Sequence, residues 1–271
     1  MLTPGKIIFD QVSKTIKLHS GQIQSILRDI SFTWNVGERV GVIGLNGVGK
    51  TTLLRLIGGL DKPTQGKVIR IPNNVQIAMV FQRPEDHFIF ETVIKQIKSH
   101  ASREFSLNTI FEIVDQVGLS RDKLLQPPHS LSSGQQRLVA IASALAKQAH
   151  FYILDEPMAG LDANNRALVE QALENLYEQK KVGVMVVSHH PDDLLGSINR
   201  LMILHDHELI YDGTLNDVKL ETLYTYLSYN DPSLLLLMKR LLNEKFNIDV
   251  ESFGYSTLRK IAESIEKLNH I

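Results

Sequence analysis

The pattern of apolar and polar positions predicts a sheet whose central strands are buried on both faces. Residues 151–154 and 182–187 are short, continuous apolar runs without the polar alternation of a half-exposed strand. Such runs are typical of strands in a parallel sheet that is covered on both sides. The segment 165–180 between them has the length and composition of a crossover helix. A third apolar run, 39–43, precedes a helical pattern over 50–57, so a further strand and a helix are predicted there.

Further strands and helices are predicted on either side of this core. The remaining strand patterns cover 7–13, 26–36, 67–71, 75–81, 200–204 and 208–211. The dipeptide Asp206-His207 between the last two indicates a hairpin. A polar, helix-rich stretch covers about 92–147. Its segment 109–117 places its apolar residues on one helical face before Gly118, a residue type that commonly ends helices.

The order of these elements predicts an α/β protein with two parts. Residues 1–218 form the main domain, with a β-rich N-terminal subdomain and a helical subdomain inserted at about 88–148. Residues 219–271 are predicted to form a short helical C-terminal extension. Apolar residues recur in it at helical spacing, namely Leu234, Leu237, Met238 and Leu241. This stripe indicates either a contact with another chain or packing on the main domain.

Composition and charge narrow the classes of partner. Hydrophobic residues make up 43% of the chain and charged residues 22%, values typical of a folded globular protein. No cysteine is present, which excludes disulfides and thiolate metal sites. The 29 basic and 30 acidic side chains leave a net charge of −1, whereas nucleic-acid binding relies on a basic face, so we expect no nucleic-acid partner. No apolar run approaches the roughly 18 residues of a transmembrane segment, so we expect any membrane role to go through another chain.

The segment between the strand at 39–43 and the helix at 50–57 predicts a phosphate site. Its sequence is Gly44-Leu45-Asn46-Gly47-Val48-Gly49-Lys50-Thr51-Thr52, which matches the pattern G-x-x-x-x-G-K-[ST]. Glycines let successive main-chain N–H groups point into one concavity, and the helix adds its positive N-terminal end. Lys50 supplies a cation for the β- and γ-phosphates, and the Thr51 hydroxyl is suited to ligate Mg²⁺. The pattern by itself does not distinguish a kinase, a GTPase and a motor protein.

Two adjacent carboxylates follow the buried strand at 151–154. Asp155 is expected at the carboxyl edge of the sheet, where Mg²⁺ is held. Side chains alternate along a strand, so Glu156 is free to orient or deprotonate the attacking water. Two other polar residues also follow strands. They are Gln82, whose amide suits contact with water or the metal, and His189, which can hydrogen-bond the γ-phosphate.

A second anion site is predicted before the helical pattern at 136–147. The sequence there is Leu131-Ser132-Ser133-Gly134-Gln135, and small residues before a helix leave its N–H groups accessible. In the simplest interpretation Ser132 is only a helix N-cap. Because the chain already has a phosphate loop, a second anion site is useful if it completes the nucleotide site of another subunit. Two chains arranged head to tail would then hold two ATP molecules, each between the loop of one chain and Ser132 of the other.

The order of these motifs resembles the nucleotide-binding domain of ABC transporters, which has a P-loop NTPase fold. The resemblance covers residues 7 to about 218 and includes Gly160-Leu161-Asp162. It implies that one set of residues acts within a single chain: Lys50, Thr51, Gln82, Asp155, Glu156 and His189. Ser132 and Gly134 would act across an ATP-dependent dimer, and Asp162 would link the two sites. The implied activity is Mg²⁺-dependent ATP hydrolysis that powers transport through separate integral membrane subunits, at the cytoplasmic face of the cell membrane.

A narrower resemblance is to the ATPases of energy-coupling factor (ECF) transporters, which drive uptake of vitamins and of cobalt or nickel. It rests on Phe81-Gln82-Arg83-Pro84-Glu85-Asp86-His87, on Glu91-Thr92-Val93 and on the helical C-terminal extension. Glu85 and Asp86 are then candidate acceptors for basic residues of a membrane subunit, and the alternative is that they are solvated surface acids. The resemblance leaves open whether the dimer joins two copies of this chain or this chain and a related ATPase.

The chain departs from the family where adenine is bound. The family commonly places an aromatic residue there, and this chain has Ile16. We therefore expect adenine to be held by aliphatic contact, with Phe9 or the loop at His19 as alternatives.

Three rival classes differ in which motifs they explain. An ABC-type ATPase that is not coupled to a transporter usually carries two nucleotide domains or a long coiled coil between the motifs, and the interval between Lys50 and Ser132 is too short for one. A P-loop kinase leaves 131–135 and 160–162 unexplained. A nucleotide-binding regulator without turnover is disfavoured by the intact Glu156.

Overall fold

A computed structural model describes residues 5–18, 20–101, 106–180, 182–188, 198–214, 217, 218 and 239. The predictions for His19, His189 and the C-terminal extension lie outside the described residues, apart from Lys239. The strands in the described part are β1 (Lys6–Lys17), β2 (Ile23–Asn35), β3 (Arg39–Gly44), β4 (Gln65–Ile71), β5 (Ile77–Val80), β6 (Phe151–Asp155), β7 (Gly183–Val187), β8 (Arg200–His205) and β9 (Glu208–Gly213). The α-helices there are α1 (Lys50–Gly58), α2 (Val93–His100), α3 (Leu107–Gln116), α4 (Ser133–Ala146) and α5 (Ala163–Lys180).

The larger sheet has six strands in the order β5-β6-β7-β3-β8-β9. Neighbouring strands from β5 to β8 pair in parallel, and β9 pairs antiparallel with β8. Every residue of β6 and β7 is buried, so the prediction of strands covered on both faces is confirmed. The α/β fold class is confirmed as well, and its parallel strands bring their carboxyl ends to one edge.

Two apolar cores cover the two faces of this sheet, and β6 contributes to both in alternation. Phe151 and Ile153 pack with the antiparallel sheet and α1, whereas Tyr152 and Leu154 pack with the helices α2 to α5. This alternation follows from the period of two along a strand. The main sheet is therefore held between a β-rich layer and a helical layer. The division into 1–218, with its insertion at about 88–148, and 219–271 stays a prediction.

The smaller sheet is antiparallel, with the order β2-β1-β4. Strands β1 and β2 are both longer than the predicted 7–13 and 26–36, because their pairing continues through several register shifts towards the turn. The Leu18 N–H donates to the Gln22 carbonyl at 2.8 Å, which closes that turn. The hairpin around Asp206-His207 is confirmed, and both residues have the positive φ that tight hairpin turns require.

Several predicted boundaries were wrong by a few residues for identifiable reasons. Strand β5 covers only Ile77–Val80 of the predicted 75–81, because its partner β6 begins opposite Ile77. Helix α3 begins two residues before the predicted 109, where the Ser106 side chain caps it by accepting from the Thr109 N–H. Helix α4 begins at Ser133 rather than 136, because Ser132 caps it. Among the described helices, none is long and apolar enough to cross a lipid bilayer.

Candidate active site

The phosphate-type loop joins the end of β3 to the start of α1, and its path requires glycine at two positions. Gly44 has a φ of 153°, and a Cβ there would lie 2.4 Å from the Leu204 carbonyl oxygen. Gly49 has a φ of 114°, and a Cβ there would lie 2.5 Å from the Ile26 carbonyl oxygen. The loop is therefore packed directly against the main chain of β8 and β2, which fixes the start of α1.

Lys50 is the first residue of α1, and its side chain is buried within the loop. Its ammonium group donates to the Gly44 carbonyl at 2.6 Å and to the Leu45 carbonyl at 2.9 Å. These bonds hold a cation beside the first main-chain N–H groups of a helix. Both features attract phosphate oxygens.

Thr51 and Asp155 meet at the carboxyl end of β6. The Thr51 hydroxyl donates to the Asp155 carboxylate at 3.1 Å, and Asp155 is buried. Burial raises the pKa of Asp155, although the Thr51 hydrogen bond and the charges of Lys50 and Arg137 oppose the rise. A buried carboxylate beside a hydroxyl offers the oxygen ligands that Mg²⁺ prefers, and a divalent cation would offset the cost of burying the charge. These residues therefore fit a Mg²⁺ ion.

Glu156 follows Asp155 with a left-handed backbone, φ 54°. That conformation costs on the order of 1–2 kcal/mol for a residue with a side chain. Its N–H donates to the Val187 carbonyl at 2.9 Å, and its carbonyl accepts from the Arg137 guanidinium at 2.8 Å. The strained backbone is thus fixed from two sides, by β7 and by α4.

One cavity of about 260 Å³ brings most of the predicted residues together. Its lining comprises Ile26, Asn46, Gly47, Gly49, Lys50, Thr51, Thr52, Gln82, Asp155 and Glu156. Gly44, Leu45 and Val48 belong to the same loop without lining the cavity. Residues of the loop, of the segment after β5 and of the end of β6 therefore share one space, as expected at the edge of a parallel sheet.

Ser132 and Gly134 are not among the described residues that line this cavity. Ser132 is exposed and caps α4 in a reciprocal arrangement: its side chain accepts from the Gln135 N–H, and the Gln135 side chain accepts from the Ser132 N–H. A Cβ on Gly134 would lie 3.1 Å from the Gly160 carbonyl oxygen. Asp162 accepts from the Asn165 N–H at 2.8 Å, at the start of α5. Within one chain, Ser132 therefore acts as an N-cap.

The predicted adenine contact lies away from the phosphate end. Ile16 is 42% exposed on β1 and does not line the described cavity, whereas Ile26 of β2 does. The alternative that Phe9 contacts adenine is wrong, because Phe9 is buried and its ring stacks on Phe32 at 4.5 Å. No sequence motif marks Ile26, so sequence reasoning missed it.

Sequence reasoning also missed Arg137 on α4. It is buried, and its guanidinium donates to the main-chain carbonyls of Glu156 and Gln82, each at 2.8 Å. The available signal was a charged residue at the start of an otherwise small and apolar run, 138–146. A charge at such a position is uncommon unless it is paired.

A second, larger groove of about 460 Å³ lies beside the site, between β5, α2 and α4. Its lining includes Phe81, Pro84, Ile89, Phe90, Ala140 and Ala144. Ile89 is 81% exposed, and its N–H is held by the side chain of the buried Gln96 at 3.1 Å. Glu85 and Asp86 lie in the 3₁₀ turn Pro84–His87, whose first and last residues line the groove.

Comparison with known proteins agrees with this geometry. The family model described as ABC transporter matches residues 27–159. The Energy-coupling factor transporter ATP-binding protein EcfA2 of Acetivibrio thermocellus is 32% identical over 79% of this chain and 82% of its own length. The Aliphatic sulfonates import ATP-binding protein SsuB 1 of Agrobacterium fabrum is 34% identical over 72% of this chain and 70% of its own length.

Solved structures give the same result at the level of the fold. A dimeric ATP-binding cassette in a post-hydrolysis state, bound to ADP and Pi, matches with a TM-score of 0.69 at 27% identity. The match covers 77% of this chain and 98% of that chain. Relatives that align over most of the chain, together with a phosphate-type loop that meets Asp155 and Glu156 in one cavity, show that the chain belongs to the ABC transporter family, as an ATP-binding subunit that hydrolyses ATP.

Proposed function

We propose that the chain dimerises on binding ATP and powers solute uptake through separate integral membrane subunits, at the cytoplasmic face of the cell membrane. One observation carries the proposal. The phosphate cavity contains Lys50, Thr51, Asp155 and Glu156, whereas Ser132 is exposed at a different helix start outside its lining. A chain with one half-site of each kind is complete only when it pairs with another.

Within the phosphate half-site, each residue has a distinct role in ATP hydrolysis. Lys50 and the N–H groups of the loop bind the β- and γ-phosphates. Thr51, Asp155 and Gln82 would hold Mg²⁺, which supplies charge neutralisation on the phosphate oxygens when bound. Glu156 orients the attacking water and accepts its proton, and we propose that His189 hydrogen-bonds the γ-phosphate. Aliphatic contact by Ile16 would hold adenine.

The second half-site consists of Ser132 and Gly134 at the start of α4. In the dimer, the Ser132 hydroxyl and the first N–H groups of α4 bind the γ-phosphate held by the partner's loop. The absence of a side chain on Gly134 lets that phosphate approach the helix closely. The solved relative is a dimer with ADP and Pi, which supports the same arrangement for this chain.

The groove beside the site suits a segment of a membrane subunit. Its lining includes apolar residues such as Phe81, Ile89 and Phe90 alongside polar ones such as Lys147, and the acidic residues Glu85 and Asp86 lie in the adjoining turn. We propose an apolar helix or loop that carries a basic residue as the occupant, because such a segment would complement both features. The relative named as an import ATP-binding protein supports uptake as the direction of transport. A vitamin or a transition-metal ion as the solute rests on the resemblance of residues 81–87 and 91–93 to energy-coupling factor ATPases.

The proposal is tested by Glu156→Gln in the full chain. This change preserves ATP binding while it removes the proton acceptor, so hydrolysis falls by about 10²–10⁴ and an ATP-bound dimer accumulates. Size-exclusion chromatography with ATP would detect the dimer, and the ADP-bound form serves as the monomer control. A variant that still hydrolyses ATP at the wild-type rate would refute the role of Glu156, and one that stays monomeric with ATP and its co-purified partners would refute the dimer.

A further inference from the structure

Arg137 joins three segments of the candidate site through one side chain. It lies near the start of α4, and its guanidinium donates from Nη1 to the Glu156 carbonyl and from Nη2 to the Gln82 carbonyl, each at 2.8 Å. Both acceptors are main-chain atoms, so the bonds hold the paths of two loops rather than their side chains. The loops are those that carry Glu156, the proposed base, and Gln82, whose amide is proposed to hold the metal.

Burial of the Arg137 guanidinium is unfavourable for the free energy of folding. Burial lowers the pKa of Arg137, while the charges of Glu85, Glu156 and Asp155 oppose that shift. Its Nε has no hydrogen-bond partner among the described atoms. A buried charge with an unsatisfied nitrogen stabilises a fold less well than a packed apolar side chain does. The fold alone therefore does not explain an arginine at this position.

The strained backbone of Glu156 explains why an arginine is useful at position 137. Glu156 has a left-handed conformation that costs free energy, and the Arg137 bond to its carbonyl is one of the contacts that fix it. The same helix carries Ser132 at its start, and Ala140 and Ala144 of that helix line the large groove. A displacement of α4 therefore moves Arg137, and with it the carbonyls of Glu156 and Gln82.

We propose that Arg137 is a positioning residue for hydrolysis, which makes the placement of Glu156 depend on the position of α4. This proposal rests on the proposed role of Glu156 as proton acceptor. Under this proposal, the Arg137 guanidinium couples partner binding to hydrolysis. A partner that binds the groove or the start of α4 would shift α4, and Arg137 would transmit that shift to Glu156. Both hydrogen bonds that the structure describes for the Arg137 guanidinium go to main-chain oxygens, so its proposed action is on the paths of the two loops.

Arg70 provides a matched control in the same chain. It is a half-buried arginine whose guanidinium donates to the main-chain carbonyls of Leu56 and Ile57, at 2.8 and 2.9 Å. It therefore loses the same kind of hydrogen bonds when replaced, away from Glu156 and Gln82. If Arg137 only stabilised the fold, replacing Arg137 or Arg70 should have similar effects on ATP hydrolysis.

The test compares Arg137→Met with Arg70→Met in the full chain, purified with any membrane subunits that accompany it. We expect Arg137→Met to lower kcat for ATP hydrolysis by about 10²-fold, the effect of displacing a reacting group by about 1 Å. The KM for ATP and the affinity for a fluorescent ATP analogue should stay within about twofold, because Lys50 and the loop are untouched. Arg70→Met should leave kcat unchanged. Arg137→Lys, which keeps the charge and can reach one carbonyl, should recover part of the loss.

The deciding measurement is single-turnover hydrolysis in the Glu156→Gln background. If Arg137 acts through Glu156, adding Arg137→Met or Arg137→Lys there causes no further loss. An equal loss in both backgrounds would overturn the proposal, and so would an unchanged kcat in the wild-type background. If Glu156→Gln alone leaves hydrolysis intact, the proposed role of Glu156 fails first. Should Arg137→Met not fold, Arg137→Lys in both backgrounds gives the same comparison.

Discussion

At the residue scale, the buried charges of this chain are concentrated at one place. In the part of the chain that the structure describes, the buried charged side chains are Lys50, Arg137, Asp155 and Glu156. Three of them line the phosphate cavity, and Arg137 binds the main chain of Glu156. Burying a charge opposes folding unless partners compensate for it. A cluster of such residues in one cavity therefore marks a functional site rather than a structural one.

Asp155→Asn should raise the thermal stability of the nucleotide-free protein at neutral pH while it abolishes the stabilisation by Mg²⁺ and ATP. Burial raises the pKa of Asp155, so its charged form is disfavoured in the native state and removal of the charge should stabilise that state. Asp155 is also a proposed metal ligand, so the gain in Tm on adding Mg²⁺ and ATP should be lost. Differential scanning calorimetry with and without Mg²⁺ and ATP measures both effects.

The stabilisation of the nucleotide-free protein by Asp155→Asn should depend on pH. Because the pKa of Asp155 is raised in the folded state, the native protein protonates Asp155 more readily than the unfolded chain does. The unfavourable contribution of Asp155 to native stability therefore shrinks as pH falls towards its folded pKa, and the Tm difference between wild type and Asp155→Asn should shrink with it. Asp115→Asn is the contrasting control, because the hydrogen bond from Arg121 lowers the pKa of Asp115. A lower Tm for nucleotide-free Asp155→Asn at neutral pH would contradict the prediction.

At the element scale, helices α3 and α4 begin in the same way, although a role in nucleotide binding is proposed only for the start of α4. Ser106 and Ser132 both accept from the N–H group three residues ahead. Of the two, only α4 has small residues, Ser133 and Gly134, at the start of its first turn. An N-cap serine by itself therefore does not distinguish a structural helix start from an anion site. Ser106 and Ser132 therefore allow a cap with a structural role to be compared with one proposed to bind a phosphate, within one chain.

Ser132→Asp should separate the capping role of Ser132 from its proposed role in binding the partner's ATP. Aspartate caps helices about as well as serine does, so Tm should stay close to that of the wild type. Its negative charge would face the γ-phosphate in a dimer, so ATP-dependent dimerisation and hydrolysis should both fall sharply. Thermal unfolding and size-exclusion chromatography of the same sample measure the two effects.

Ser106→Asp is the matched control for this experiment. The same substitution at the start of α3 should change neither hydrolysis nor dimerisation. Ser132→Ala should lower stability by about 1 kcal/mol through loss of the cap. Wild-type dimerisation and hydrolysis in Ser132→Asp would mean that Ser132 is an N-cap alone.

At the scale of the whole molecule, the main sheet lies between a β-rich layer and a helical layer, and the candidate active site lies at its carboxyl edge. The groove of about 460 Å³ lies at the junction of this sheet and the helical layer, where α4 reaches both the groove and the loops of the site. A partner in the groove would therefore contact the element that holds Glu156. This arrangement supports the proposed route from partner binding to hydrolysis.

Ile89→Asp should weaken association with the membrane subunits while it leaves ATP binding by the isolated chain unchanged. Ile89 is 81% exposed at the groove, so its replacement has little effect on the core but places a charge against an apolar partner segment. Affinity purification of the tagged chain, followed by identification of the membrane proteins that accompany it, measures the effect. Leu125→Asp is the control, since Leu125 is 78% exposed and is not among the described residues that line the groove. Equal recovery of membrane proteins with both variants would refute the groove as the docking site.

Sequence patterns predicted the type of nearly every element and, apart from Ile26, the residues that line the phosphate cavity. Continuous apolar runs identified β6 and β7, because a strand that is buried on both faces has apolar residues at every position. Boundaries were less predictable, since strand ends depend on the partner strand, as Ile77 opposite Phe151 shows for β5. Helices α3 and α4 began earlier than predicted, because the Ser106 and Ser132 side chains cap them one residue before Leu107 and Ser133.

By itself, the sequence determined the chemistry of the site, because the spacing of the loop, of Asp155-Glu156 and of Gln82 places these residues at strand ends that a parallel sheet must bring to one edge. Only the tertiary structure decided which further groups meet them. Ile26 reaches the cavity because the glycines of the loop pack against β2, and Arg137 reaches Glu156 because α4 packs across the ends of β5 and β6. Phe9 was excluded from the adenine site in the same way, by its stacking on Phe32. Contacts between segments that are distant in sequence depend on how the layers of the fold pack. The local pattern of apolar and polar residues does not contain that information.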